Sequence, residues 1–228
     1  MEKHEFDDFI KGYRETQGHY FRITGESGEF FARYKAEKIA EWFSHLRGKS
    51  ISILDYGCGD GLMTAYIRKY FPKAIVHGND PSSKSIDYAK RHFKNIRFSV
   101  LSRRMIYKNE SMDIICAAGV FHHIHFNQHK KFLSDIFRVL KHRGIFVMFE
   151  LNPLNPATVI IFKRSPVDKN AQMLPSGYAK NMLKEYSIPE IKYISFFPSF
   201  LKKMRVCESR MTKIPFGGLY AAIAKKRP

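Results

Sequence analysis

Between residues 50 and 151 short apolar runs alternate with amphipathic stretches, and this order constrains the fold more than any other feature of the chain. SISILDY, AIVHGND, IRFSVL, MDIICAAG and GIFVMFEL read as strands so uniformly apolar that both of their faces need cover. GLMTAYIRKYF, SSKSIDYAKRHF and NQHKKFLSDIFRVLKH lie between them as helices. The last sets Phe132, Ile136, Val139 and Leu140 at three- and four-residue spacing, one buried stripe. Strand and helix in strict alternation give a doubly wound α/β fold: a mostly parallel sheet with helices on both faces.

Ahead of the first strand, GEFFARYKAEKIAEWFSHL has the period of a helix, with Phe31, Ile39, Trp42, Phe43 and Leu46 as its apolar face. After Leu151 the alternation stops. The proline-studded run NPLNPATVIIFKRSPVDKNAQMLPSG reads as an insertion or lid rather than another strand-helix unit. A helix around residues 178–186, a strand EIKYISFF, a basic aromatic stretch PSFLKKMRVCESRMTKIP and a final strand GLYAAIAKK follow. We therefore expect one domain over 1–228: a helical cap at 1–49, a core at 50–151, an insertion and acceptor region at 152–215, and a last strand at 216–228.

The 228 residues suffice for one sizeable core. Cys58, Cys116 and Cys207 stand at unrelated spacings and form no disulfide framework, which suits a reducing, cytoplasmic setting. The first residues, MEKHEFDDFIKGYRE, are charged from the second position, and no later run approaches a membrane span, so a secreted or membrane-spanning protein is not expected. The net charge of +18 is unevenly spread: basic and acidic side chains balance over residues 1–50, whereas 16 basic oppose 5 acidic over 141–228. An anionic partner for the C-terminal half follows as an expectation, whether substrate, membrane surface or nucleic acid.

Binding chemistry is concentrated in SISILDYGCGDGLMTAYI, where a strand ending at Asp55 meets a turn with Gly57, Gly59 and Gly61 and then a helix. Such glycines let the backbone approach a ligand closely, and the helix offers free N–H groups. The spacing is not that of the dinucleotide fingerprint, and Asp55 and Asp60 would repel a pyrophosphate. An adenosine-containing cofactor bearing positive charge fits better. Asp80 closes the second strand, where a carboxylate can accept both ribose hydroxyls.

These segments together resemble the class I S-adenosylmethionine-dependent methyltransferases, of the type 11 kind. ILDYGCGDG is similar to their first motif, VHGNDPS to their second, and SMDIICAAGVFHHI with FLSDIFRVLKHRGIFVMFE to their fourth- and fifth-strand region. The resemblance implies a seven-stranded sheet of order 3-2-1-4-5-7-6, its last strand antiparallel between the fifth and sixth. It also implies that Gly57, Cys58, Gly59 and Gly61 line S-adenosyl-L-methionine, that Asp55 meets its aminoacyl end and Asp80 its ribose, and that Pro81 and Ala118 border it. Ser102 stands where relatives carry an acidic residue for the adenine and would accept a weaker hydrogen bond from it, so adenine recognition leans also on contacts around Pro81, Arg103 and Met105. Lys35, or Arg33, would pair with the cofactor's carboxylate.

VFHHIHFNQH follows the fourth strand, which passes the reactive end of the cofactor in this fold. His122 and His123 are candidates for the acceptor side, His123 either as a base or as a prop for a neighbouring loop. His125 and His129 are expected on the surface. No H-E-x-x-H pattern, cysteine pair or carboxylate as a third ligand joins them, so no metal site is expected. FELNPLNP puts Glu150 and Asn152 at the end of the fifth strand, where they either face the acceptor or form a rigid turn with a buried asparagine cap. The run from there to IPFGGLY resembles a bacterial small-molecule subgroup with an E/H-x-NP-x-NP signature.

Two nucleic-acid amino- and cytosine-methylating patterns do not fit. The Asn-Pro run lies one strand too late, and Cys116 has no adjoining proline. The expected activity is methyl transfer to a small or lipid-linked, anionic acceptor, at oxygen, with ISFFPSFLKKMR either as a lid helix packed on the pocket or as a contact for a membrane surface or amphiphile. An RNA methyltransferase, motivated by the charge, and a catalytically silent cofactor-binding protein are the alternatives.

Overall fold

The computed structural model describes residues 25–227. The reading of MEKHEFDDFIKGYRE, and the first half of the cap, lie outside the described residues. Seven strands form one sheet in the order β3-β2-β1-β4-β5-β7-β6. They are β1 (Ser52–Tyr56), β2 (Ile75–Asp80), β3 (Arg97–Val100), β4 (Met112–Ala118), β5 (Leu140–Leu151), β6 (Glu190–Ile194) and β7 (Leu219–Lys225). Pairing is parallel from β3 to β5, and β7 runs antiparallel to both β5 and β6. This is the expected sheet.

Its centre shows why the strands are apolar throughout. Ile114 and Cys116 of β4 pack on one face with Ile53 of β1, while Ile115 and Ala117 pack on the other with Leu54. Side chains alternate across a pleated strand, so a strand covered on both faces needs apolar residues at every position. Each fully buried Ile or Leu contributes about 1.5–3 kcal/mol.

The helices are α1 (Gly28–Trp42), α2 (Leu62–Tyr70), α3 (Ser83–His92), α4 (His129–Val139), α5 (Pro156–Arg164), α6 (Ser176–Leu183) and α7 (Glu208–Met211). Ser27 caps α1 by accepting from Phe30 N. Phe43 and Leu46 of the predicted apolar face fall past its end, though both still pack on the core. Trp42 stacks on Phe149 at a centroid distance of 6.0 Å.

Three boundaries differ from the sequence reading. The helix predicted over 127–142 stops at Val139, because Leu140 opens β5 and Arg143 adopts a φ of 62° that no helix continues. The strand predicted through residue 197 ends at Ile194, with Ser195 at φ 61°. In the proline-studded run a helix forms where none was expected. Asn155 accepts from Thr158 N and Pro156 takes the first helical position, where its missing N–H costs nothing.

The segment 199–207 winds in tight 3-10 turns before α7. It is tied down by Glu208, whose carboxylate accepts from Tyr34 Oη at 2.6 Å and from the backbone N–H groups of Phe196 and Phe197. No helix among the described residues is long and apolar enough to cross a membrane.

Candidate active site

At the C-terminal ends of β1, β4 and β5 a cavity of about 400 Å³ opens beneath α1. Open parallel sheets bind ligands at this edge. The turn after β1 forms its floor: Asp55, Gly57, Cys58, Gly59 and Asp60 line it, with Ala118 and Gly119 beside them from the end of β4.

Gly57 and Gly59 have φ of 72° and 52°, a region that favours glycine. A Cβ on Gly57 would stand 2.5 Å from Val120, whereas one on Gly59 would meet nothing within 4 Å. The first glycine is required by packing, and the second keeps space open. Gly61, at the start of α2, lies off the cavity, its missing side chain giving room to Ala89 and Phe98.

Two carboxylates frame the turn. Asp55 is buried and accepts from Thr64 Oγ1 at 2.7 Å. Burial pushes its pKa up to about 6, against the opposing pull of Thr64 and Lys35. Asp80 accepts from Gly59 N and Ser82 N, both at 2.9 Å, so the end of β2 holds the first turn in shape. Lys35 enters from α1 and lines the cavity. Burial lowers its pKa, while Asp55 and Glu150 act in the opposite sense and favour its charge. Arg33 is exposed on the same helix.

Asp80 and Pro81 lie at the end of β2 and do not line the cavity. Ser102 sits in the exposed loop after β3, off the cavity lining, and its hydroxyl donates to Arg104 O at 3.0 Å.

The other end of the cavity is a polar cluster. His122 is buried, its Nδ1 2.6 Å from Glu150 Oε2 and its Nε2 3.2 Å from Asp168 Oδ1. Glu150 Oε1 accepts from Phe121 N at 2.9 Å. Burial works against charge on His122, but Glu150 and Asp168 outweigh it and raise the pKa to about 9. His123 Nε2 lies 3.5 Å from the same Asp168 oxygen. Burial and the neighbouring His122 charge hold His123 well below the usual imidazole range. Asp168, though half-buried, is held below the usual carboxylate range by His122.

Asp168 is absent from the sequence-based set. It arrives from the loop after α5, together with Val167, and Gln172 N donates to His122 O at 2.9 Å, pinning that loop to the turn after β4. The only hint in the sequence is that Asp168 is the first acid after Glu150 in a strongly basic stretch.

His125 is exposed as expected, but His129 is not. His129 is 2% exposed, its Nε2 3.0 and 2.9 Å from the carbonyl oxygens of Phe121 and Ile124 and its Nδ1 3.1 Å from Tyr178 Oη. It closes the turn that carries His122 and His123. Asn152 is also buried, but its amide faces away from the acceptor end, donating to Pro215 O and Gly217 O.

This sheet and this glycine turn define the class I S-adenosylmethionine-dependent methyltransferase fold. Residues 53–144 match the family described as "Methyltransferase domain". Over 108 residues it is 32% identical to a ubiquinone biosynthesis O-methyltransferase of Pelagibacter ubique, covering 46% of this chain and 43% of that protein. A malonyl-[acyl-carrier protein] O-methyltransferase of Bacillus anthracis is 28% identical over 142 residues, 59% of this chain and 52% of that one. The chain thus spans about half the length of the curated relatives it matches.

Among solved structures, a SAM-dependent methyltransferase from Thermotoga maritima superposes with a TM-score of 0.69 over 99% of both chains, at 14% identity. Phosphoethanolamine N-methyltransferase 2 of Haemonchus contortus, solved with S-adenosyl-L-methionine, gives 0.66 over 98% of this chain and 60% of that one, at 16% identity.

Proposed function

We propose that the chain binds S-adenosyl-L-methionine in this cavity and transfers its methyl group to an oxygen of a small or lipid-linked anionic acceptor, working in the cytoplasm. One observation carries the reading: a single cavity joins Asp55, the open space at Gly59 and the Lys35 ammonium to the His122, His123, Asp168 and Glu150 cluster.

The groups present suit this cofactor. Lys35 offers its ammonium to the carboxylate and Asp55 a carboxylate to the amino group, while Asp80 holds the Gly59 turn in the shape that receives the cofactor. When bound, the cofactor supplies a methyl group already activated on a sulfonium. The protein's work is to align the acceptor and exclude water. A hydroxyl acceptor must also lose its proton, which the cluster around His122 and His123 is placed to take. The region 152–215 serves the acceptor side through Val167 and Asp168.

Two further facts support the acceptor class. The relatives above are named as O-methyltransferases of ubiquinone biosynthesis and of a malonyl carrier protein. Phe200, Met204 and Val206 are exposed beside the exposed Lys202 and Lys203, a mixture suited to peripheral contact with an anionic bilayer or amphiphile.

The test is calorimetric titration with S-adenosyl-L-methionine, followed by incubation of the methyl-labelled cofactor with separated lipid, small-molecule, protein and RNA fractions. Binding that Asp80→Ala weakens at least tenfold, with label in the lipid or small-molecule fraction, is expected. Label in RNA alone would overturn the acceptor class. Binding without transfer to any fraction would leave a silent cofactor-binding protein.

A further inference from the structure

We infer that His122, His123 and Asp168 form a binding site for one divalent transition-metal ion of the zinc type, at the acceptor end of the cavity. The inference rests on the methyl-transfer reading for its purpose and on geometry alone for its existence.

The ligand atoms of the three side chains all lie within 4.8 Å of one another. Asp168 Oδ1 is 3.2 Å from His122 Nε2 and 3.5 Å from His123 Nε2. Ligands about 2.0–2.1 Å from a tetrahedral zinc ion stand roughly 3.3 Å from each other. Two edges of such a tetrahedron are therefore already at length. The third, between the two imidazoles, is within 4.8 Å.

The surroundings match what a ligating histidine needs. Such a histidine donates its other ring N–H to a carboxylate, which fixes its tautomer and orientation. Glu150 stands in that position, 2.6 Å from His122 Nδ1, and is itself anchored through Oε1 to Phe121 N. Two carboxylates converging on two imidazoles in a largely buried place would be balanced by one dication. Two nitrogens and one oxygen favour a zinc-like ion over magnesium or calcium, which take all-oxygen sets.

All three residues line the cavity, so three protein ligands would leave a fourth position facing the acceptor. A hydroxyl bound there loses its proton to water more readily. The resulting oxygen forms the new C–O bond as the S–CH3 bond breaks, its electron pair staying on sulfur. Neutral S-adenosyl-L-homocysteine and the methyl ether or ester remain.

The experiment is titration of tag-free, chelator-stripped protein with Zn2+ by calorimetry, with metal analysis after dialysis and Co2+ absorption as a second probe. Wild type should take one ion per chain and give the visible band of tetrahedral Co2+. Asp168→Asn and His123→Gln should each weaken Zn2+ at least tenfold while keeping the circular dichroism spectrum and cofactor binding. Absence of stoichiometric Zn2+ in wild type, or equal binding by both variants, overturns the site. Should a variant fail to fold, the Co2+ band of wild type decides alone. Cofactor titration of the same samples separates the two ideas: Zn2+ bound without S-adenosyl-L-methionine sinks the methyl-transfer reading, and the reverse sinks the metal.

Discussion

His122 Nδ1 lies 2.6 Å from Glu150 Oε2, and the other oxygen of that carboxylate accepts from Phe121 N. One buried side chain at the end of β5 therefore fixes the turn that follows β4. Glu150→Ala removes the acceptor of two buried donors and should cost about 2–5 kcal/mol. Glu150→Gln, which keeps an oxygen, should cost less. Urea unfolding of both measures this, and an unchanged midpoint for the alanine variant would show that the pair does not support the fold.

Asp55 makes stability depend on pH in an unusual direction. Burial raises its pKa from 3.8 to about 6, so between those values the folded state holds a proton that the unfolded state has released. Stability contributed by this group falls as pH rises through that window, and above it the buried charge carries its full cost of about 3 kcal/mol. Asp55→Asn should therefore raise the melting temperature of the cofactor-free protein at pH 7.5. The gain should shrink as pH falls toward 4, and cofactor affinity should be lost throughout. A gain that grows on acidification would contradict the assignment.

Gly57 and Gly59 separate packing from binding. Gly57→Ala drives a Cβ against Val120 at 2.5 Å in a positive-φ conformation, and about 1–3 kcal/mol of destabilisation is expected. Gly59→Ala meets no atom within 4 Å and should cost about 1 kcal/mol for its backbone conformation alone. Its effect should appear in calorimetry instead, as cofactor affinity reduced at least tenfold. Equal losses of stability in the two variants would remove the distinction.

Asn152 is buried, its amide donating to Pro215 O and Gly217 O at 3.0 and 2.7 Å while its oxygen accepts from Leu154 N. Asn152→Ala strands those carbonyls and should cost about 2–4 kcal/mol. Cofactor affinity measured below the melting transition should hold, since the side chain turns away from the cavity. A large drop in affinity with native stability would place Asn152 in the site after all.

How far the chain could be read depends on whether a residue's role is local. The strands, the strand-turn-helix at 52–70 and the carboxylates at the ends of β1 and β2 are set by near neighbours. Apolar runs, glycine spacing and a terminal acid each have one structural use there. The misread His129 depends on a contact far along the chain. His129 is buried because Tyr178, 49 residues away, covers it.

The sequence by itself determined the alternation of strand and helix, and with it the sheet edge where a ligand turn must lie, because side-chain period and backbone permission are properties of short segments. Only the tertiary structure decided the acceptor end. Asp168 is 46 residues from His122 and reaches it because the loop after α5 returns to the turn after β4, where Gln172 N donates to His122 O. That His122 is clamped between two carboxylates follows from that return, and no local pattern encodes it.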